Sequence, residues 1–282
     1  MPELPEVETI RRGLSRQLVG RTISAVRVRQ NQLRHLVDAD ALRDHAVGRT
    51  VSRVERRAKY LLIHLQPDRV LLFHLGMSGR LRVGAPVSHD AKHDHLVFKI
   101  EPDPAAPSGA ALEMRFHDPR RFGMCLPAAT SELPSHPCLR GLGQEPLSEA
   151  FTSEYLRAQA KRSRKPVKNF LMDAAVVVGV GNIYASESLH LARLRPTRPV
   201  DRMRPVHWAR LHDSVRQVLQ AAIDNHGTSL SDYVDSNGER GDFQNELLVY
   251  GREGEPCARD GHRIRRIVQA GRSSFYCPWC QR

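Results

Sequence analysis

Acidic residues and long apolar runs are scarce in this 282-residue chain, and each scarcity excludes a class of protein. No apolar run approaches the roughly 18 residues that a membrane-spanning helix needs, so no membrane association is expected. Only 31 Asp and Glu residues stand against 43 Lys and Arg residues, which leaves a formal net charge of +12 with His counted as neutral. This surplus favours a polyanionic partner such as nucleic acid, although solubility alone could also account for it.

Cysteine is also rare, with five residues in the whole chain. The first residues are acidic and then amphipathic, which does not match a secretory signal peptide. An odd number of cysteines also argues against the disulfide framework of a secreted protein. We therefore expect a cytoplasmic protein. Cys257, Cys277 and Cys280 are clustered near the C-terminus, and this clustering predicts a metal site.

The N-terminal half has a strand-like pattern after one helix. Residues 5–20 are predicted to form an amphipathic helix. Two apolar runs at 60–65 and 70–75, separated by a turn sequence, predict a hairpin, and 95–100 with 112–117 predict a second strand pair. Because helices do not alternate regularly with these strands, a parallel doubly wound sheet is not expected, and we predict a β-sandwich with flanking helices.

Proline and glycine are concentrated at 131–150, which predicts a linker between domains. Helical periodicity dominates after the linker, and the tail again contains two short strand-like stretches. The predicted helices span 151–162, 167–174, 183–193 and 206–226. The polar segment 231–245 predicts a mobile loop. The fold class is therefore α+β, and its predicted parts are the sandwich domain at 1–130, the linker at 131–150, a helical domain at 151–250 and a metal-binding hairpin at 251–282.

The sequence Met1-Pro2-Glu3 can supply an unusual nucleophile. Removal of Met1 would leave Pro2 with a free secondary amine, which titrates near pH 8 and is partly neutral at physiological pH. The positive end of the following helix further disfavours the ammonium form. Attack on a sugar C1′ would give an iminium ion that has no N–H proton to lose and so drives elimination, while Glu3 could move protons. Taken alone, these residues more often only cap a helix.

Several short blocks resemble the bacterial formamidopyrimidine-DNA glycosylase (Fpg) family, and they follow the family's order over nearly the whole chain. The blocks are PELPEVET at 2–9, RRAKYLL at 56–62, HLGMSG at 74–79, KHDH at 92–95, DPRRFG at 118–123, LMD at 171–173, VVGVGNIYASESL at 177–189, VYGR at 249–252 and the C-terminal cysteines. The resemblance implies a bifunctional enzyme that removes oxidised purines and then cuts the strand by β,δ-elimination from a Pro2 Schiff base.

The resemblance also implies roles for residues at turns. Lys59 matches a lysine that contacts DNA near the reactive sugar, although its arginine neighbours also fit a merely solvated basic face. Met77 lies between two glycines, where a side chain projects rather than packs, and an apolar tip can wedge into a base stack. Met77, Arg120 and Phe122 match the family residues that fill the gap left by an extruded base. Phe122 alone could equally pack beneath its own loop.

Three further residues match DNA contacts of the family. His93 is one of them, and its His-x-His spacing is only a weak signal for a metal. The glycine turn at 177–182 superficially resembles a dinucleotide-binding loop, but Tyr184 is too large for the third small position. It is better explained as a turn that opens a phosphate-binding helix. Lys168 and Asn182 match phosphate-binding residues of the family's helix–two-turns–helix motif.

The C-terminal block departs from the family pattern, which has two C-x₂-C pairs that bind zinc. Cys277 and Cys280 form an intact pair, but Cys257 is followed by Asp260 in the place of the second cysteine, and His262 comes two residues later. Zinc accepts both carboxylate and imidazole ligands. We favour one structural zinc held by Cys257, His262, Cys277 and Cys280, because imidazole is the more usual ligand. Asp260 as the fourth ligand, or weak or absent metal, are the alternatives.

Arg272 lies on the hairpin between the cysteine pairs and matches the family arginine that grips phosphates and is linked to δ-elimination. The implied catalytic residues are thus Pro2, Glu3, Lys59 and Arg272. The implied partner is double-stranded DNA with oxidised purines or abasic sites, bound across a cleft by a monomeric, nucleoid-associated bacterial protein. Two rival interpretations stay open: an endonuclease VIII-like enzyme for oxidised pyrimidines, and a zinc-finger DNA-binding protein that has lost catalysis.

Overall fold

The computed structural model describes residues 2–102, 110–228 and 241–282, and the chain divides into two compact units. Unit 1 comprises Met1–Arg140 and His226–Asp242, and unit 2 comprises Gly141–Asn225 and Phe243–Arg282. The division after Arg140 falls inside the segment predicted as a linker. The four predicted domain ranges stay predictions.

Unit 1 is built on antiparallel strands in the order β5-β7-β6-β1-β2-β3-β4-β8. Its helices are α1 (Leu4–Leu18) and α2 (Ala39–Ala46), and its strands are β1 (Thr22–Val28), β2 (Arg49–Arg57), β3 (Tyr60–Leu65), β4 (Arg69–His74), β5 (Arg80–Gly84), β6 (Asp94–Ile100), β7 (Leu112–His117) and β8 (Met124–Ala129). Both strand pairs expected from the sequence are present as β3–β4 and β6–β7.

The eight strands are connected in one order, but β1 and β2 in its middle are paired at only two positions, Thr22 with Thr50 and Ile23 with Arg49. The strands on either side of this junction pack face to face as two layers of four, since rings of β4 contact rings of β6 and β7. Buried apolar side chains from both layers belong to one continuous core. At its centre the Phe73 ring of β4 lies 6.0 Å from the Phe98 ring of β6 and 5.7 Å from the Phe116 ring of β7. The predicted β-sandwich is confirmed.

Helix α1 packs against this core through one face. Val7, Ile10, Leu14 and Leu18 are each at most 1% exposed, and their spacing of three and four residues is that of a single helical stripe. Pro5 lies in the first turn, where a missing N–H costs nothing. The helix ends at Leu18, two residues before the expected end, because Val19 is already extended.

Unit 2 is helical and ends in a two-stranded hairpin. Its helices are α3 (Ser153–Gln159), α4 (Val167–Leu171), α5 (Asn182–Leu191) and α6 (Pro205–Asp224), and its strands are β9 (Arg265–Gln269) and β10 (Arg272–Tyr276). The hairpin turn consists of Ala270 and Gly271, both with positive φ, as a tight two-residue connection requires. The helical periodicity therefore predicted every α-helix of the described part of unit 2 but extended most of them by a few residues.

Two further expectations from the sequence concern a membrane span and the loop at 231–245. In the ranges 2–102, 110–228 and 241–282, no helix is both long and apolar enough to cross a membrane. The loop expected at 231–245 falls mostly outside the described residues, and its end forms a 3₁₀ turn at Phe243–Glu246.

Candidate active site and nucleic-acid interface

The N-terminal end of α1 is fixed by buried carboxylates. Glu6 accepts a hydrogen bond from the backbone N–H of Glu3 at 2.7 Å through one oxygen, and from the N–H of Thr228 at 2.8 Å through the other. Glu3 is 3% exposed and Glu6 is 2% exposed, and Pro2 is buried beside them. The positive end of the helix therefore lies next to Pro2, as the nucleophile hypothesis requires.

Lys59 is placed by a two-residue turn between β2 and β3. The turn consists of Ala58, which has a φ of 56°, and Lys59 itself, with Arg57 and Tyr60 paired at its base. The positive charge of Lys59 acts electrostatically on His74, at the end of β4. Burial first, and then the positive charges of Arg34 and Lys59, lower the pKa of His74 to about 4. The imidazole is therefore neutral near pH 7, and its Nδ1 accepts a hydrogen bond from the Gly76 N–H at 3.0 Å.

Two loops that carry the predicted wedge residues are held together by Asp118, which is fully buried. One of its carboxylate oxygens accepts from the Ser78 hydroxyl at 2.6 Å, and the other accepts from the Gly123 N–H at 2.7 Å. Ser78 in turn accepts from the N–H of Arg120 at 3.3 Å. The carbonyl oxygen of Asp118 accepts from the His95 ring at 2.7 Å. Asp118 is the central residue here that sequence reasoning missed, although it begins the DPRRFG block.

The wedge residues project away from this buried network. Met77 is 42% exposed and Phe122 is 47% exposed, and the Arg120 guanidinium lies 5.0 Å from the centre of the Phe122 ring. Gly76 has a φ of 62°, and a Cβ there would overlap the backbone of Phe122, so the close approach of the two loops requires glycine. The structure thus brings Met77, Arg120 and Phe122 together, and Phe122 does not pack beneath its own loop.

His93 belongs to a group of aromatic and basic side chains on the same unit. Its ring contacts those of His95 and His117, with centroids 6.2 and 5.8 Å away. His93 and His95, with Arg29, Lys92 and Arg121, border a cavity of about 320 Å³ that Asp94 also lines. Among the described residues they do not form a group close enough to hold a metal ion, so the weak metal signal of the sequence is not supported.

In unit 2, Lys168 and Asn182 bind each other and the start of β10. The Lys168 ammonium donates to the Asn182 side-chain oxygen at 2.6 Å, to the Ser274 hydroxyl at 2.7 Å and to the Ser273 carbonyl at 3.0 Å. The Asn182 amide donates to the same carbonyl at 2.9 Å. Lys168 is only 2% exposed, so in this arrangement it joins α4, α5 and β10 rather than presenting an open ammonium group to a phosphate.

The glycine turn at 177–181 opens α5, as expected, with Gly179 at a φ of 80° and Asn182 as the first helical residue. Inside α5, the buried carboxylate of Glu187 accepts from the N–H groups of Leu248, Val249 and Tyr250 at 2.9, 3.0 and 2.7 Å. This contact anchors the segment that leads into the hairpin. Sequence reasoning did not single out Glu187, because its partners lie some sixty residues away along the chain.

Four side chains at the base of the hairpin form a candidate metal site. One ligand atom each from Cys257, Asp260, Cys277 and Cys280 lies within 4.8 Å of the others. The Cys257 and Cys280 sulfurs are 4.0 Å apart, and the Cys277 sulfur is 3.4 Å from either Asp260 oxygen. A zinc ion with Zn–S bonds of about 2.3 Å and a Zn–O bond of about 2.0 Å would need edges of roughly this length. The residues therefore fit zinc.

His262 is not in this group, contrary to our preference from the sequence. Its ring lies flat on Trp279, with centroids 4.5 Å apart and planes at 7°, and its side chain is 45% exposed. Its Nδ1 is 3.5 Å from the Asp260 carboxylate, so it contacts the candidate ligand rather than the three sulfurs. The sequence pattern could not decide this, because either residue has a suitable donor atom.

Arg272 begins β10, directly after the hairpin turn, and is exposed. Its neighbours Ser273 and Ser274 are the residues that Lys168 and Asn182 contact. Three of the residues predicted to bind phosphate or act on it are therefore adjacent in unit 2. Pro2, Glu3, Lys59, Met77, His93, Arg120 and Phe122 all lie in unit 1.

Family models of known proteins match the N-terminal and C-terminal parts of this chain separately. The models for the formamidopyrimidine-DNA glycosylase N-terminal domain, the formamidopyrimidine-DNA glycosylase H2TH domain and the zinc finger found in FPG and IleRS match residues 1–125, 142–234 and 254–282. Formamidopyrimidine-DNA glycosylases from Thiobacillus denitrificans and Hahella chejuensis are 50% and 46% identical to this chain, with 100% of each chain covered. The chain belongs to the formamidopyrimidine-DNA glycosylase family.

Two solved structures of Lactococcus lactis Fpg have the same fold. Its complex with DNA containing an abasic site is 33% identical, with a TM-score of 0.89 over 99% of each chain. Its complex with DNA containing Fapy-dG is 34% identical, with a TM-score of 0.89 over 99% of this chain and 100% of that one. The resemblance inferred from the sequence blocks and the predicted α+β fold are confirmed. Fpg membership makes the chain a DNA glycosylase, and cleavage of abasic sites is a known property of that family.

The Fpg-type finger carries one structural zinc site, as expected. Cys257, Asp260, Cys277 and Cys280 are the residues whose positions fit the ion. We expect Asp260→Ala to lower zinc affinity, since it removes a donor atom, whereas His262→Ala keeps one zinc per chain. Metal analysis after dialysis against a graded series of chelator concentrations measures both variants. Loss of zinc from His262→Ala but not from Asp260→Ala would contradict this assignment.

Asp118→Asn tests the link between the two wedge loops. An amide would direct an NH₂ group at either the Ser78 hydroxyl or the Gly123 N–H, so one donor loses its acceptor at a cost of about 1–3 kcal/mol. Urea unfolding measures the loss, and Asp44→Asn, an exposed aspartate in α2, is the matched control. Equal stability of the two variants would show that Asp118 does not hold the loops.

The lowered pKa of His74 predicts the direction in which the free energy of unfolding changes with pH. Its pKa is about 4 in the folded chain, against about 6.5 when unfolded, so between these values the unfolded state binds more protons and stability falls as the pH falls. His74→Asn keeps an acceptor for the Gly76 N–H and removes the titration, so its unfolding free energy should fall less between pH 6.5 and 4. The exposed His35→Asn variant is the control, and an unchanged slope in His74→Asn would be the contrary result.

Proposed function

We propose that this chain excises oxidised purines such as 8-oxoguanine and formamidopyrimidines from duplex DNA and then cleaves the abasic strand, with Pro2 as the nucleophile. The observation that carries the proposal is the arrangement at the start of α1. Pro2, whose nitrogen becomes a secondary amine once Met1 is removed, lies at the positive end of a helix, beside the buried carboxylates of Glu3 and Glu6. This combination supports a neutral amine with a proton carrier next to it. The proposed reaction requires prior removal of Met1.

In the first step, the lone pair of the Pro2 nitrogen attacks C1′ of the damaged nucleotide. The bond from C1′ to the base breaks, and the base leaves with the bonding electrons and takes up a proton. The Pro2 nitrogen loses its N–H proton, which balances the proton taken up by the base. The ring oxygen O4′ takes up a proton, for which Glu3 is the proposed donor, and the bond from C1′ to O4′ breaks as the nitrogen lone pair forms the double bond to C1′. The product is an iminium ion between Pro2 and C1′, and its nitrogen carries no proton that could be lost.

The iminium ion then acts as an electron sink. Loss of a proton from C2′ breaks the bond from C3′ to the 3′ phosphate, which is β-elimination. Loss of a further proton from C4′ breaks the bond from C5′ to the 5′ phosphate, which is δ-elimination. We assign Lys59 to the first phosphate and Arg272 to the second as positively charged groups that favour departure of the phosphate anions.

The glycosidic bond is inaccessible within a stacked duplex, so the nucleotide must leave the helix. The exposed Met77 and Phe122 side chains, with Arg120 beside the Phe122 ring, provide an apolar wedge and a hydrogen-bond donor for the vacated position. His93, Lys168 and Asn182 are proposed to contact the DNA backbone, Lys168 by its charge or after rearrangement of its present hydrogen bonds. L. lactis Fpg has been solved with DNA containing abasic sites and Fapy-dG, which supports this partner. We propose that the chain acts as a monomer in the bacterial cytoplasm, associated with the nucleoid.

Borohydride trapping tests the nucleophile. Reduction of the iminium ion during turnover of an 8-oxoguanine:cytosine duplex should leave the protein covalently bound to DNA. Pro2→Gly should reduce the yield of this adduct, because a primary amine gives an imine that can lose its N–H proton. Pro86→Gly, at an exposed proline, is the control and should trap normally. An undiminished yield of the adduct with Pro2→Gly would show that Pro2 is not the nucleophile.

The same assay on a thymine-glycol duplex separates the purine and pyrimidine specificities. We expect much faster excision of 8-oxoguanine. Preference for thymine glycol would favour the endonuclease VIII-like activity, and absence of any adduct with either duplex would favour a DNA-binding protein without catalysis.

A further inference from the structure

Unit 2 contains a cavity of about 510 Å³ that the proposed reaction does not use. It is bordered by the segment after α5, the first turns of α6 and the C-terminal residues of the chain. Six arginines line it: Arg193, Arg198, Arg204, Arg210, Arg259 and Arg282. His207 and Trp279 complete much of the wall, and we call this site the arginine cavity.

Asp260 and the neighbouring Cys280 sulfur offset only part of the positive charge of the arginine cavity. Within the described ranges, none of the six guanidinium groups forms an ion pair with a carboxylate. Asp260 is the single acidic residue in the lining, and its oxygens lie against the Cys277 sulfur in the candidate zinc site. The Nε of Arg198 is buried and has no hydrogen-bond partner. Four of the six side chains, Arg193, Arg204, Arg210 and Arg282, are exposed, and their charges would attract an anion that enters the cavity.

Two further features strengthen the positive potential. Helix α6 begins at Pro205, between the lining residues Arg204 and His207, so its positive end lies at the cavity wall. The His207 ring accepts from the Arg204 N–H at 3.1 Å. Burial first, and then the charges of Arg198, Arg204 and Arg210, lower the pKa of His207. The imidazole is therefore neutral at pH 7 and adds no further repulsion.

The arginine cavity is distinct from the phosphate-binding residues already described. Lys168 and Asn182 contact Ser273 and Ser274, beside Arg272 at the start of β10. The cavity includes Trp279 and Cys280, which follow the other end of that strand. Five residue-to-residue steps of extended chain lead from Arg272 to Cys277 and separate the two places by about 16 Å. One phosphate group cannot contact both places.

We propose that the arginine cavity is a second phosphodiester-binding site, which takes the backbone of a nucleic-acid strand other than the lesion duplex. Guanidinium groups bind phosphate oxygens in a bidentate manner, and six of them line this one cavity. Trp279, 56% exposed, supplies an aromatic surface at the rim for a sugar or base. A site of this kind would hold a second strand while the lesion duplex is bound.

A two-ligand titration tests the proposal. The zinc-loaded protein is first saturated with a duplex that carries a stable abasic analogue, and a short fluorescein-labelled oligothymidylate is then added at low salt. We expect a second binding event by anisotropy. Arg204→Ala/Arg210→Ala should weaken it by about tenfold or more, whereas the affinity for the abasic duplex should change less than twofold. Arg43→Ala/Arg157→Ala removes the same charge at exposed arginines outside the cavity and should leave both affinities nearly unchanged.

The corresponding lysine variant, Arg204→Lys/Arg210→Lys, keeps the charge and loses bidentate geometry, so an intermediate affinity supports phosphate recognition. Absence of a second binding event, or equal weakening in Arg43→Ala/Arg157→Ala, would overturn the proposal. Displacement of the oligothymidylate by a polyglutamate peptide as readily as by unlabelled oligothymidylate would also overturn it and indicate an acidic protein partner. Stronger displacement by tripolyphosphate would instead indicate a small polyphosphate ligand.

Discussion

The buried carboxylate of Asp118 is the interaction on which the proposed DNA-reading surface of unit 1 depends. It accepts hydrogen bonds from Ser78 after β4 and from Gly123 before β8, while its backbone carbonyl accepts from His95 in β6. A side chain with no solvent contact has no water to replace these partners, so this geometry is closely defined. The same two loops carry the exposed apolar side chains of Met77 and Phe122. The exposed hydrophobic wedge is thus mounted on loops that a buried side chain joins.

Unit 2 uses buried charges in the same way. Glu187 accepts hydrogen bonds from three successive backbone N–H groups of the segment before the hairpin. Lys168 joins two helices to β10. Each contact connects parts of the chain that are distant in sequence. Removing one partner would leave the other buried without compensation, which costs more than the bond itself contributes. The hairpin that carries Arg272 is therefore held in place by groups outside it.

Sequence alone predicted much of this arrangement, for identifiable reasons. Periodicity located α1 and the strand pairs, and glycines predicted the turns that expose Met77 and open α5. The residue types at Met1-Pro2-Glu3 suggested the candidate chemistry of Pro2, and the family resemblance favoured it over a role that only caps the helix. The sequence could not show that Lys168 is buried, because burial depends on Ser273 and Ser274, which lie more than a hundred residues away. It also could not choose between Asp260 and His262, since the choice depends on where the Trp279 ring lies.

The presence of Asp260 among the candidate zinc ligands affects formal charge as well as donor type. Three thiolates and one carboxylate around a divalent zinc ion sum to −2, which is also the sum for four thiolates. Histidine as the fourth ligand would give −1. Arg259, whose guanidinium lies 3.8 Å from the Cys280 sulfur, therefore faces the same net anion that an all-cysteine finger would present. The departure from the family's cysteine pattern thus preserves the electrostatic balance at the base of the hairpin while replacing a soft donor with a hard one.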